Sequence, residues 1–226
     1  FPFGKWTCYD FFVSKKLLFL KCRGVPAGTV NDALIEYVDV LPTYIELAGG
    51  KPPEVLDGKS LRPVLLGHAK QHKQYVFGEM TTRGIINGSE HFGIRSVRSS
   101  RFKYIWNFTP EVQFRNACTK SAIFQSWREK AVDNADAAEK VRRYEHRPGE
   151  ELYDLTKDPL EWNNLADDPE YADAKDELRS KLRAWMKAMG DQGQQTELEA
   201  LQHQTRALRG TRPAKPKEKR KRKKHK

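Results

Sequence analysis

Cysteine is scarce in this chain: Cys8, Cys22 and Cys118 are the only three among 226 residues. They form no Cys-x-x-Cys pair and have no histidine at zinc-site spacing, so neither a disulfide framework nor a structural zinc is implied. Long apolar runs are missing as well. No stretch approaches the ~20 residues that span a bilayer, and the N-terminus lacks the basic, apolar, small-residue order of a secretory signal. Phe1 is not an initiator methionine, so we expect the chain to begin inside a longer one, with any export signal upstream.

A broadly basic surface is also missing, despite the formal net charge of +11. Residues 206–226 hold 12 basic side chains against the single acid Glu218, which accounts for the whole excess. Residues 1–205 then carry 29 basic and 29 acidic groups, so the charge count gives no case for a phosphate-tracking surface on the folded part. The tail is too charged to collapse and is expected to be disordered, with polyanions as its candidate contacts.

What the sequence does contain is a core. It is 38% hydrophobic and 11% aromatic, enough for one large or two small domains. The clearest element is Phe92–Phe108, where two strand-length runs meet across Arg98-Ser99-Ser100-Arg101. Phe102, Tyr104, Trp106 and Phe108 alternate with Lys103, Ile105 and Asn107, so one face of this β-hairpin carries four aromatic rings. A two-stranded ribbon with that face bare is unstable in water, so a further element must cover it. The rings serve either as core or as a stacking surface for a ligand.

The remaining elements fall around the hairpin. Leu17-Leu18-Phe19-Leu20 suits a buried parallel strand. Asp39–Ala48 reads as a short helix with Asp39 as N-cap and Gly49-Gly50 as the stop. Leu61–Leu66 is a brief apolar turn, Gln74–Gly78 a strand, Ser121–Tyr144 helical with a polar break at Asp133–Asp136, and Glu150–Leu155 an edge strand. Asp168-Pro169 opens the strongest helix, with Leu178, Leu182, Trp185 and Met189 on one face. That helix is the expected cover for the aromatic face, burying both Trp106 and Trp185. A weaker amphipathic piece spans Glu197–Leu208.

Several of these stretches, in order, resemble the C-terminal half of a sulfatase. They are Gly4-Lys5-Trp6-Thr7, Val38-Asp39-Val40-Leu41-Pro42-Thr43, Leu56-Asp57-Gly58-Lys59-Ser60-Leu61, Arg95-Ser96-Val97-Arg98 with Arg101-Phe102-Lys103-Tyr104, and Glu151-Leu152-Tyr153-Asp154-Leu155 with Asp158-Pro159. Arg95-Ser96-Val97 followed by Asn107-Phe108-Thr109-Pro110-Glu111, and the insertion ending at Tyr144 and Arg147-Pro148, are most similar to the heparan N-sulfatase (N-sulfoglucosamine sulfohydrolase) branch. The segment Phe11–Arg23 departs from the pattern, which resumes at Ala27-Gly28-Thr29-Val30.

The resemblance implies an α/β fold: residues 1–70 as the end of an alkaline-phosphatase-like sulfatase domain, 71–190 as a small α+β C-terminal domain of antiparallel sheet and packed helix, and 191–226 as a helical then disordered basic tail. It also implies an exported enzyme whose substrate is a sulfated glycan or aryl sulfate. Catalysis in the family needs a formylglycine nucleophile, made from a Cys-x-Pro-x-Arg motif, and a calcium ion; none of the three cysteines has that context. By the same resemblance Lys5 stands where a cation contacts the sulfate oxygens, and Arg83 and His91 lie where substrate contacts enter. The chain alone is then expected to be inactive. The competing reading is a non-catalytic module that binds polyanions or glycans through the basic tail.

Overall fold

Four strands and six helices form the regular elements of the computed structural model, which describes residues 8–9, 24–82 and 88–203. The Leu17–Leu20 strand, Lys5, Arg83 and the basic tail therefore lie outside the described residues. After a 3₁₀ turn at Tyr37–Asp39 come helix α1 (Val40–Leu47), helix α2 (Arg62–Leu65) and strand β1 (Val76–Met80). Strands β2 (Ile94–Arg98) and β3 (Phe102–Asn107) follow, then helices α3 (Ala122–Ala131) and α4 (Ala135–Glu145), strand β4 (Glu150–Asp154), and helices α5 (Ala172–Ala188) and α6 (Gln194–Glu199).

The strands form one antiparallel sheet in the order β1-β2-β3-β4, with the expected hairpin at its centre and β4 on an edge. Ser99 closes the hairpin turn: its backbone N–H donates to the Phe102 carbonyl at 2.8 Å, and its hydroxyl oxygen accepts from the Phe102 N–H at 2.9 Å. On one face Val97, Tyr104 and Leu152 pack against Leu178, Leu182 and Met186 of α5. The helix does lie across the aromatic face, as the alternation requires.

Two details differ from expectation. Trp106 and Trp185 are half-buried, because both stand at the rim. The Trp185 ring stacks flat on Phe77 with centroids 5.0 Å apart, while Trp106 lines a groove of about 640 Å³ with Phe108, Arg183 and Gln194. Met189 is exposed and Met186 takes the buried place, since the contact follows the four-residue step 178, 182, 186 and the helix stops before Gly190, whose φ is +72°. Asp168 caps the lead-in turn as expected, its carboxylate accepting from the Glu170 N–H at 2.9 Å.

The opposite face is covered too. Ile94, Ile105 and Tyr153 pack with Phe114, Phe124 and Tyr144 from the α3–α4 region and with Cys8 and Tyr9. The expected polar break is the junction of those two helices: Ser121 caps α3 by accepting from the Phe124 N–H, and Asn134 caps α4 from the Ala137 N–H. A sheet buried on both faces must satisfy its polar side chains internally. Lys103, for example, is 1% exposed and reaches Glu161 at 3.2 Å. Glu161 itself adopts φ 58°, a left-handed backbone rarely taken by a non-glycine residue.

At the sheet edge the Asp154 carboxylate accepts from Arg101 Nε at 3.0 Å, from its Nη2 at 2.8 Å, and from the Thr156 N–H and hydroxyl. The Arg101 guanidinium, helped by Thr156, holds the Asp154 pKa down to about 2. Because the folded value lies below the ordinary one of ~3.9, the stabilisation is complete above about pH 4 and fades as pH falls through 2. Arg101→Met should flatten that acid limb in a pH series of melting temperatures, leaving the slope between pH 5 and 8 unchanged.

Asp39 does not cap α1 as expected. The 3₁₀ turn starts one residue after Glu36, which makes Asp39 its third residue, so the carboxylate bonds back to the Glu36 N–H at 2.8 Å. It also accepts from the Lys59 N–H at 3.0 Å and meets Lys73 Nζ at 2.9 Å and His72 Nε2 at 3.3 Å. Lys73 bridges on to Glu36 at 2.5 Å, and the Glu36 carboxylate accepts the Phe77 N–H of β1 at 2.9 Å. One buried carboxylate thereby ties the α1 segment to the start of the sheet. Close approach at Gly58 completes the join: a Cβ there would sit 1.9 Å from the Val38 carbonyl oxygen. Gly58→Ala is expected to cost ~1–3 kcal/mol, read as a drop in denaturant midpoint at unchanged slope.

Candidate functional site

The connection into the hairpin, the stretch to which the sequence assigns Arg83 and His91, is pinned at both described ends. Thr82 is buried, and its N–H and hydroxyl donate to Glu197 Oε1 at 2.7 and 3.2 Å, while its oxygen accepts the Phe92 N–H at 2.8 Å. At the other end the Ser89 hydroxyl donates to the Gln113 carbonyl at 2.7 Å and accepts from the Arg115 N–H at 2.6 Å. His91 stands in the turn between these anchors with φ 59°, half-buried, its carbonyl accepting from the Thr109 hydroxyl at 3.0 Å. The backbone fixes where His91 sits. Thr82, which precedes Arg83, is held by Glu197, a residue 0% exposed that arrives from α6.

Glu197 carries no signal in the sequence. A glutamate in a weakly amphipathic helix reads as a solvated side chain, and only the fold reveals it as the clamp on the 82–92 connection.

A second polar cluster lies on the α3–α4 side of the sheet. The Glu151 carboxylate, 1% exposed, accepts from the Tyr9 hydroxyl at 2.6 Å, the Tyr153 hydroxyl at 2.5 Å and Asn107 Nδ2 at 2.7 Å. Burial, reinforced by the Glu151 charge, pushes both phenols well above the ordinary tyrosine value. They remain donors at any physiological pH. Beside them Arg147 is 2% exposed, its guanidinium carbon 4.2 Å from the Phe114 ring centroid, 5.1 Å from Tyr9 and 5.7 Å from Tyr144. Burial raises the Tyr144 phenol to about 12.

These groups border a cavity of about 460 Å³ that also touches Arg143, His146, Trp162 and Asn164. Arg143 is already committed, donating to the Glu161 and Trp162 carbonyls and lying 4.6 Å over the Trp162 ring. By sequence, Arg147-Pro148 is a family marker and nothing more, and Glu151 is an ordinary strand residue.

The residues present do not fit the family's cofactor and nucleophile. Among the described residues no group of three or more His, Cys, Asp or Glu side chains is placed to hold a metal ion. Cys8 and Cys118 are buried free thiols, and burial pushes the Cys8 thiol above its ordinary value, the opposite of what a nucleophile needs. Neither calcium ligands nor a formylglycine precursor is therefore found among the described residues.

An antiparallel four-stranded sheet, helix-covered on one face and backed by a helical insertion on the other, defines an α+β module. Residues 3–116 match the family described as N-sulphoglucosamine sulphohydrolase, C-terminal, and the chain belongs to that family. An ulvan-active sulfatase of Formosa agariphila is 38% identical over 83% of this chain and 36% of its own length. Human N-sulphoglucosamine sulphohydrolase is 27% identical over 70% of this chain and 33% of its own. A solved structure of a protein in complex with its substrate D-glucosamine-2-N,6-O-disulfate aligns with 74% of this chain and 27% of that one, at 24% identity and a TM-score of 0.49. The chain thus spans about a third of the length of these two curated relatives.

Proposed function

We propose that this chain is the C-terminal portion of an exported sulfatase that hydrolyses sulfate esters or N-sulfates on sulfated glycans. In this reading a preceding α/β portion brings the formylglycine and calcium, Lys5 contacts the sulfate oxygens, and Arg83 and His91 approach the sugar. Positioned cations of that kind offset charge on a sulfate in the transition state. Alone, the chain binds and does not turn over.

One observation carries the proposal: the exposed face of the α1 segment. Tyr37, Leu41 and Tyr44 lie on one side of the 3₁₀ turn and helix and are 71%, 54% and 55% exposed, with Val38 beside Tyr37 in the chain and 48% exposed. Large apolar side chains grouped in this way mark a surface that another element covers. Relatives about three times as long, matched by a family that is itself C-terminal, favour the preceding sulfatase portion as that element. The double variant Leu41→Glu/Tyr44→Glu tests it. It should abolish binding of a hydrophobic dye and any self-association of the 226-residue chain, with melting temperature nearly unchanged, as exposed positions tolerate substitution. A large fall in melting temperature with dye binding intact would mean the face is used internally.

A further inference from the structure

Arg147 presents the one strongly charged buried group among the described residues whose hydrogen-bonding capacity is wholly unspent. All three of its guanidinium nitrogens are buried and have no hydrogen-bond partner. Three rings surround it, Phe114, Tyr9 and Tyr144, with centroids 4.2, 5.1 and 5.7 Å from the guanidinium carbon. The ring faces offer no oxygen acceptor to its five N–H donors. Leaving such donors dry is costly, and a fork of that shape matches the two oxygens of a carboxylate or sulfate.

The polar groups around it are already engaged elsewhere. Glu151, the buried carboxylate of the cluster, already accepts from Tyr9, Tyr153 and Asn107. Arg142 is engaged by Glu139, and Arg143 by two carbonyls. Counting the cavity lining, Arg142, Arg143 and Arg147 face Glu139 and Glu151, a positive balance of one before His146 is considered. The volume of about 460 Å³ suits one sugar ring with its charged substituent, and Trp162, 42% exposed, offers a ring at the margin.

We infer that the Arg147 cavity is an oxyanion-binding site, taking the sulfate or carboxylate of an acidic saccharide. Its saccharide character rests on the sulfatase reading, whereas its anion binding does not. The site has the form of a holding subsite, in which Arg147 makes the paired hydrogen bonds and the cavity wall accommodates the sugar.

Calorimetric titration of the 226-residue chain with glucosamine 6-sulfate, glucuronate and inorganic sulfate, at fixed ionic strength, decides the matter. We expect saturable one-site binding of a sugar-borne anion, with inorganic sulfate competing for the same site. Arg147→Lys, which keeps the charge and loses the fork, should weaken binding about tenfold or more. Arg147→Met should abolish it, while melting close to the parent protein in chloride buffer, because it removes an unsatisfied cation. The basic tail is present in all variants, so the difference isolates the cavity. Equal affinity for inorganic sulfate and the sulfated sugar would assign the site to the bare anion; tighter sugar binding would assign it to the saccharide.

Binding by none of the three probes, or binding unchanged in Arg147→Met, overturns the inference. Should the methionine variant fail to fold, the Arg147 side-chain N–H resonances of the parent protein give the answer: they must shift on titration, and a lack of shift also overturns it. Such a failure leaves the sulfatase reading standing, because that reading is tested on the α1 face.

Discussion

Asp39→Ala is expected to remove ~3–5 kcal/mol, a loss large enough to unfold the α1 segment from the sheet at ordinary temperature. Its carboxylate is fully buried and serves the Glu36 and Lys59 N–H groups and Lys73 together. Burial alone would raise its pKa, but the Lys73 hydrogen bond and the two backbone donors outweigh that and leave it lowered. Truncation leaves two backbone donors dry and Lys73 with Glu36 as its remaining carboxylate partner in the knot. Asp39→Asn separates the contributions, since it keeps an acceptor oxygen and loses the charge; it should fall between the parent and Asp39→Ala. Because the pKa is depressed, the Asp39 contribution is complete above the ordinary carboxylate range and is lost on acidification, so the gap between Asp39→Ala and the parent must narrow as pH is lowered toward 3. Equilibrium urea unfolding at several pH values measures this directly, and a pH-independent gap would contradict the account.

Leu182→Ala should cost ~2–5 kcal/mol for a different reason. Leu182 is 0% exposed at the centre of the contact between α5 and the sheet, packed among Val97, Tyr104 and Leu152. Deleting its branched end leaves a void walled by rings and strand backbone that cannot collapse. By contrast Met189→Ala, just past the end of the same helix and exposed, should change the midpoint by less than ~0.5 kcal/mol. If the two substitutions proved equal, the assignment of the buried stripe to 178, 182 and 186 would be wrong.

Much of this architecture is legible in the sequence because its signals are local. The alternation through Phe102–Phe108 fixes a strand and its aromatic face, and Asp168-Pro169 announces the helix that covers it. Where the local signal misleads, a distant residue decides the outcome. Asp39 reads as a cap because aspartate before an apolar periodic run normally is one; Glu36, Lys59 and Lys73 recruit it instead. Trp106 and Trp185 read as buried because large rings on a packed face usually are, yet each sits at a rim whose limits are set by where α5 stops.

The polar interior is the least legible part. Lys103, Asn107 and Glu151 occupy strand positions that look solvent-facing until the helical insertion is folded over them. Arg147 and Glu197 gain their importance from partners more than 30 and 110 residues away, Phe114 and Thr82, and no spacing rule connects such pairs. The family motifs reach further than the physical patterns do, because five weak matches in a fixed order describe a fold that no one of them specifies. They carry Lys5, Arg83 and His91 as candidate site residues; of these the described structure places His91.

The most direct test of the central claim is a turnover assay of the purified 226-residue chain with calcium, on an aryl sulfate and on an N-sulfoglucosamine substrate. None of the three cysteines stands in a Cys-x-Pro-x-Arg motif, so we predict no sulfate release above the uncatalysed rate from either substrate. Sustained turnover that disappears in Lys5→Ala would contradict the account, for it would show that this chain carries a complete hydrolytic site of its own.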